Sequence, residues 1–169
     1  SKIEERSTIE FSYLQDKESA FDVNQALVEL KNSNNRAKEI STDRIETPFW
    51  LYAKIEGRPS TNQAIELPSR HIQKIQYFLL NNDLDIISTG ETSRTKPGLS
   101  NINRSKAGFS ISLPNDNSTY EIIIKIESSG PGRISLHNTS IDALLESEDI
   151  FNKSGGVLFG SLLMIAAFS

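Results

Sequence analysis

The strongest constraint in this sequence is a two-residue alternation of apolar and polar positions, repeated in short runs. Between Tyr120 and Ile126, Ile122, Ile124 and Ile126 fall in step with Tyr120, while Ile123 stands opposite. Period two is the spacing of the faces of a β-strand, and apolar residues on both faces mark this as the most buried strand. Phe49 to Glu56 alternates too, with Phe49, Leu51, Ala53 and Ile55 on one face and Trp50, Tyr52, Lys54 and Glu56 on the other. Thr8 to Tyr13 sets Ile9, Phe11 and Tyr13 on one side and reads as a strand. Gln73 to Leu80 and Asp83 to Thr89 flank Asn81-Asn82, a hairpin signal. Gly108 to Leu113 closes at the turn Pro114-Asn-Asp-Asn117, and Ser128-Ser-Gly-Pro-Gly132 turns the chain before Arg133 to His137. Roughly eight strands at near-regular spacing predict an antiparallel sandwich or barrel.

One helix interrupts this pattern. Asp22-Val-Asn-Gln25 has capping-box form, and Val23, Ala26, Leu27 and Leu30 recur at helical spacing behind it. Lys31-Asn-Ser-Asn-Asn35 ends it. The polar stretch from Thr89 to Lys106 reads as one long loop, the kind of segment that carries function on a sandwich.

At 169 residues the chain has room for one domain of ordinary size. Lys plus Arg is 18 against 22 for Asp plus Glu, a net charge of −4, which argues against a nucleic-acid partner. No cysteine is present, which removes disulfides, thiolate nucleophiles and cysteine zinc sites and fits an oxidising compartment.

The apolar residues concentrate at one end. Gly155 to Ser169 carries no charge and is apolar all round. As a helix it spans about 22 Å, short of the roughly 30 Å hydrocarbon core of a bilayer. A buried C-terminal helix fits that length. The lack of a polar stripe instead favours the start of a transmembrane helix cut by the end of the chain. Between Ser135 and Ser154 the sole Lys or Arg is Lys153, so the preceding domain is expected outside the cytoplasm. No signal peptide precedes Ser1, which reads as a mature start. The expected organisation is a sandwich over 1–139, a juxtamembrane linker or short helix over 140–154, and the first part of a membrane helix over 155–169.

Motifs for catalysis are missing. His71 and His137 fall in or beside expected strands and not at metal-ligand spacing, so neither a metal nor another cofactor is expected. No Gly-x-Ser-x-Gly elbow occurs, and Gly155 to Gly160 lacks the Lys-Ser or Lys-Thr of a phosphate-binding loop. Sequons begin at Asn103, Asn117, Asn138 and Asn152 in a chain rich in both Asn and Ser, where they carry little weight.

Binding offers more. Trp50 and Tyr52 share the face opposite the core residues and form a candidate stacking platform for a sugar or other flat ligand. Alternatively, the N-terminal strand and helix fold over Trp50 and cover it. Arg94, Lys96 and Arg104 fall within eleven residues that hold no acid, a local excess suited to a carboxylate or phosphate. A solvated loop whose cations pair with Glu91 is the other reading. The expected site is Trp50, Tyr52, Arg94 and Arg104 around a small carbohydrate-like or anionic ligand.

Several segments in order resemble a known family: Thr47-Pro-Phe-Trp-Leu51, Ile65 to Phe78, Ser88-Thr-Gly-Glu91, Phe109 to Leu113, Ile122 to Ser129 and the glycine-bearing tail. They are similar to the second type of extracellular domain of bacterial seven-transmembrane receptors with diverse intracellular signalling modules. Tyr52 departs from the pattern, standing where such domains often carry Arg. The resemblance implies a jelly-roll-like sandwich similar to carbohydrate-binding modules, lying in the periplasm. It would stand ahead of inner-membrane helices and a cytoplasmic output such as a diguanylate cyclase or histidine kinase. It also implies a non-enzymatic sensor. A protein-interaction or homodimerisation module without a small ligand is the alternative.

Overall fold

The structure is a computed structural model. It describes residues 7–42, 47–57, 63–68, 71–93, 102–105, 108–114, 116 and 118–140. The expected juxtamembrane helix and apolar tail, residues 141–169, lie outside the described residues. No helix among the described residues is long and apolar enough to cross a membrane.

The expected alternation becomes an antiparallel, jelly-roll-like β-sandwich. The elements in chain order are β1 (Ser7–Ile9), β2 (Phe11–Gln15), α1 (Val23–Lys31), β3 (Arg36–Ala37), β4 (Glu39–Thr42) and β5 (Phe49–Glu56). Then follow β6 (Gln63–Leu67), β7 (Ile72–Leu80), β8 (Ile86–Ser93), β9 (Ile102–Ser105), β10 (Gly108–Ser112), β11 (Thr119–Ser128) and β12 (Gly132–Ser140). The first sheet runs β1-β12-β6-β10-β9, with β4 also on β12, and the second runs β3-β2-β5-β11-β7-β8. Their inner faces meet in one core that includes Phe11, Leu51, Ile65, Ile75, Tyr77, Ile111, Ile122, Ile124 and Leu136. Ile123 faces the opposite way, into a second cluster on the outer side. β11 is thus buried on both faces, as its isoleucines require.

Three expectations shift. The N-terminal alternation is one pattern but two strands: β1 pairs with β12 in one sheet and β2 with β5 in the other. Ile9, Phe11 and Tyr13 keep to one face because both sheets turn that face to the same core. The stretch Thr89 to Lys106 is strand at both ends, since β8 extends to Ser93 and β9 takes up Ile102 to Ser105. The β7–β8 hairpin forms, but its turn spans Asn81 to Asp85, with the Asn81 side chain accepting from the Asp83 and Asp85 N–H groups at 3.0 Å each. Asn138 is buried and its Oδ1 accepts from Gln63 at 2.8 Å, so its sequon is committed to the interior.

One end of the sandwich is fixed by Gln63. In register Gln63 faces Ser140, the last residue of β12. Its Nε2 donates to the Glu56 carbonyl of the other sheet at 3.1 Å. Glu56 in turn faces Thr119, and Glu121 faces Leu80, so the ends of β5, β7 and β12 come together with the β7–β8 turn. At this end the Gly57 N–H donates to the Ser118 carbonyl at 2.8 Å. A Cβ on Gly57 would stand 2.2 Å from the Asp116 carbonyl oxygen and 2.7 Å from that of Ser118. Backbone cannot yield to this without moving the turn that leads into β11. Gly57→Ala is therefore expected to lower the unfolding free energy by about 1 to 3 kcal/mol in a urea titration. An unchanged midpoint would show that the turn gives way freely.

Candidate functional site

The outer face of the second sheet carries the candidate site, and its construction begins with helix α1. Asp22 caps the helix as its sequence predicts: its Oδ1 accepts from the Gln25 N–H at 2.8 Å, and Gln25 Oε1 accepts from the Asp22 N–H at 3.0 Å. Ala26 and Leu30 then pack on Trp50, Tyr52, Leu80 and Ile123, with Leu14, Phe21, Val23, Leu27 and Phe78 around them. Trp50 is left only 2% exposed. Strand and helix do fold over it, and its ring face is covered.

Asp16 holds this arrangement at the start of the helix. Its carboxylate accepts from the Ala20 and Phe21 N–H groups at 2.9 and 3.0 Å and from the Trp50 indole at 3.4 Å. On the other side Lys125 Nζ sits 5.4 Å from the centroid of the Trp50 ring. Burial pushes the Asp16 pKa up, but the Phe21 and Ala20 N–H groups, the Trp50 indole and the Lys125 charge together bring it below its ordinary value.

At the other end of α1, where the helix stops, an open hollow of about 450 Å³ remains over the sheet. Its lining comes from α1 and the residues after it (Leu30, Lys31, Ser33), from Glu10 and Ser12, from Arg36 on β3, and from Tyr52, Ala53 and Lys54 on β5. The register explains the grouping: Ser12 faces both Arg36 and Tyr52, so three strands present one row to the outside. Lys31 Nζ lies 3.1 Å from Glu121 Oε1, and the Tyr52 hydroxyl donates to the same carboxylate. Arg36 Nε lies 3.1 Å from Glu10. Lys54 is exposed and makes no ion pair among the described residues. Burial, and then the hydrogen bond and charge of Glu121, raise the Tyr52 phenol well above its ordinary value, so it stays a protonated donor.

Such a hollow is in the size range of small-molecule sites. Cations from Lys31, Arg36 and Lys54, the acid Glu10, and the hydroxyls of Ser12 and Ser33 surround it. That set can hydrogen-bond oxygen-rich ligands and neutralise a carboxylate. Among the described residues no group of three or more His, Asp or Glu is placed to hold a metal ion.

Of the four residues singled out from the sequence, Tyr52 lines the hollow and Trp50 lies under the helix two residues away. Arg104 is on β9, facing Phe109 in the first sheet, whereas Tyr52 is on β5 in the second. Arg94 lies outside the described residues. Lys54 shares the face of Tyr52 by alternation alone and was legible beside it. Lys31 and Arg36 reach the hollow only because the chain returns from α1 into β3, and no local signal carries that.

The class these features define is an antiparallel β-sandwich with a covering helix and a polar hollow beside it. The family model described as 7TMR-DISM extracellular 2 matches residues 8–140. The chain belongs to this family of extracellular domains of seven-transmembrane receptors, as the resemblance of its sequence implies. Among curated proteins none matches the chain. Solved structures similar to it include TmCBM61 in complex with beta-1,4-galactotriose, at 10% identity and a TM-score of 0.37, covering 77% of this chain and 88% of that one. The Epithelial Adhesin 6 A domain from Candida glabrata, in complex with Galb1-3GlcNAc, is similar at 7% identity and a TM-score of 0.39, covering 79% of each chain. CsCBM6-3 from Clostridium stercorarium, in complex with cellobiose, is similar at 13% identity and a TM-score of 0.28, covering 77% of this chain and 94% of that one.

The Asp16 contacts yield a pH dependence with a definite sign. A carboxyl whose folded pKa is depressed contributes stability above its unfolded pKa, about 3.9, and loses it as pH falls through the folded value. Asp16→Asn is expected to cost about 2 kcal/mol at neutral pH, and the gap to the unchanged protein should close below about pH 4. Urea titrations at several pH values measure this. A gap that persists undiminished at low pH would mean that the charge of Asp16 contributes nothing.

Proposed function

We propose that this domain is the ligand-binding input of a bacterial membrane receptor, taking a small oxygen-rich molecule, a sugar or an organic acid, into the hollow beside Tyr52. The observation that carries this reading is the convergence of Lys31, Arg36 and Lys54 on one open hollow floored by Tyr52, in a member of an extracellular sensor family. In this reading the domain binds and performs no chemistry. Residues 1–139 form the sensing sandwich, 140–154 the junction, and 155–169 the entry into the inner membrane, ahead of a cytoplasmic output. A ligand shifts that output only as far as its affinity differs between two states of the junction.

Three ion-pair facts support a site that can open to a ligand. Arg36 and Glu10 are paired but well exposed, so their contact is worth little and is easily exchanged. Lys54 stands ready for a carboxylate. Glu121, only 10% exposed in its side chain, already receives Lys31 and Tyr52, and it fixes the floor.

Thermal unfolding of the protein against sugars, sugar acids and organic acids should show a melting temperature that rises with the concentration of a true ligand. With that ligand, Arg36→Ala and Lys54→Ala are each expected to weaken binding about tenfold or more, the loss of one charge-assisted contact. Their melting temperatures without ligand should hardly move. Arg104→Ala, on β9 of the other sheet, should leave affinity unchanged. The opposite outcome would move the grip to the 94–104 segment. A silent screen with dimers that grow with concentration would favour an interaction module instead.

A further inference from the structure

Among the described residues, the β7–β8 hairpin ends in a group of large exposed apolar side chains that the second core and the hollow leave unexplained. Leu84, Ile86 and Ile87 are 44%, 48% and 45% exposed. Leu84 also takes a positive φ of 63°, a left-handed conformation that a bulky side chain adopts at a cost and that Gly or Asn would take freely. An apolar residue kept in such a turn, and held out into solvent, points to something outside the domain that receives it.

The register says what lies there. Leu80, the last residue of β7, faces Glu121, two residues beyond Thr119, which faces Glu56. Glu56 accepts from Gln63, and Gln63 faces Ser140, the last described residue, which precedes the apolar run Gly155 to Ser169 in the sequence. The hairpin turn and Ser140 are therefore at the same end of the sandwich. Gly130 and Gly132, by contrast, are at the far end, where Gly132 faces Thr42.

We propose that the tip of this hairpin docks into the interfacial layer of the lipid bilayer, with Leu84, Ile86 and Ile87 as the inserted side chains. This rests on the reading that residues 155–169 enter the membrane. Interfacial burial of two or three Leu and Ile side chains is favourable, and a tether at the same end removes most of the cost of bringing them to the surface. Asp83 and Asp85 flank Leu84 and select zwitterionic over anionic headgroups. Docking would hold the sandwich at a fixed height and tilt, so that movement of β7 and β8 reaches the junction through the membrane surface as well as through β12.

The absence of cysteine makes the test direct, because a single introduced thiol is the sole label site. The full 169-residue chain is reconstituted into phosphatidylcholine–phosphatidylethanolamine vesicles with a fluorophore on Leu84→Cys or Ile87→Cys. Ser41→Cys serves as reference, being exposed and paired with Arg133 at the far end. Quenching by nitroxide-bearing lipid is expected to be several-fold stronger at Leu84 and Ile87 than at Ser41, with iodide showing the reverse order. Iodide quenching equal to that at Ser41 overturns the proposal. Shielding from both quenchers, with disulfide crosslinks between copies of the same variant left unlabelled and oxidised with copper phenanthroline, overturns it in favour of a second copy of the chain. A label on Met164→Cys distinguishes the underlying reading: if lipid nitroxides fail to quench it, membrane entry itself is wrong and hairpin docking falls with it.

Discussion

The packing of α1 on Trp50 gives this sandwich a second, smaller core outside its two sheets, and the candidate site exists at its margin. Truncating a buried Trp typically costs about 3 to 5 kcal/mol, a large share of the stability of a domain this size. The helix cannot be held by propensity, since nine residues are too few to persist alone in water. It stays because Asp22 closes its first turn, Asp16 ties the preceding loop to the indole, and Ala26 and Leu30 bury against β5 and β11. Where the helix ends, the sheet is suddenly uncovered, and polar side chains from four chain segments close around the gap.

That boundary also sorts the charges. Under the helix the outer face is apolar, through Leu14, Trp50, Ile123 and Leu80. Past its end the face becomes ionic, with Glu121 receiving both Lys31 and the Tyr52 hydroxyl. Lys31 lies in the last turn, where a cation complements the negative end of the helix dipole. Glu121 is thus a buried acid satisfied from two directions, and it holds the Tyr52 hydroxyl beside the hollow. A guanidinium reaches the hollow from Arg36 on β3, in the same cross-strand row as Tyr52.

The end fixed by Gln63 gives the molecule a direction. Its amide bridges the sheets through the Glu56 carbonyl and the Asn138 side chain, so the last strand cannot shift without disturbing β5. Lys54, Glu121, Leu80 and Ile86 lie opposite one another in successive strands of the second sheet. The hollow, the β7–β8 hairpin and Ser140 at the end of β12 therefore occupy the same half of the sandwich. The candidate site thus lies in the half of the sandwich that holds Ser140, the C-terminal end of β12.

Much of this was legible in the sequence where the signal is local. The capping box at Asp22 and the helical spacing behind it set α1 within a residue, and alternation set β5 at Phe49–Glu56. Isoleucines on both faces marked β11 as the most buried strand. Short strands such as β3, β4, β6 and β9 went unread, because two to five residues of mixed polarity carry no period of their own and become strands only by pairing. The sequence could place Trp50 and Tyr52 together on one face, but a face has two fates, solvent or cover. Which fate each residue met depended on where a nine-residue helix came to rest. The sequence by itself determined the alternation, the helix and its cap, because these arise from neighbours along the chain. Tertiary structure alone decided that Trp50 is covered, that Tyr52 borders a hollow, and that Arg36 and Lys31 reach it, because those contacts join residues that only the folded sheets bring side by side.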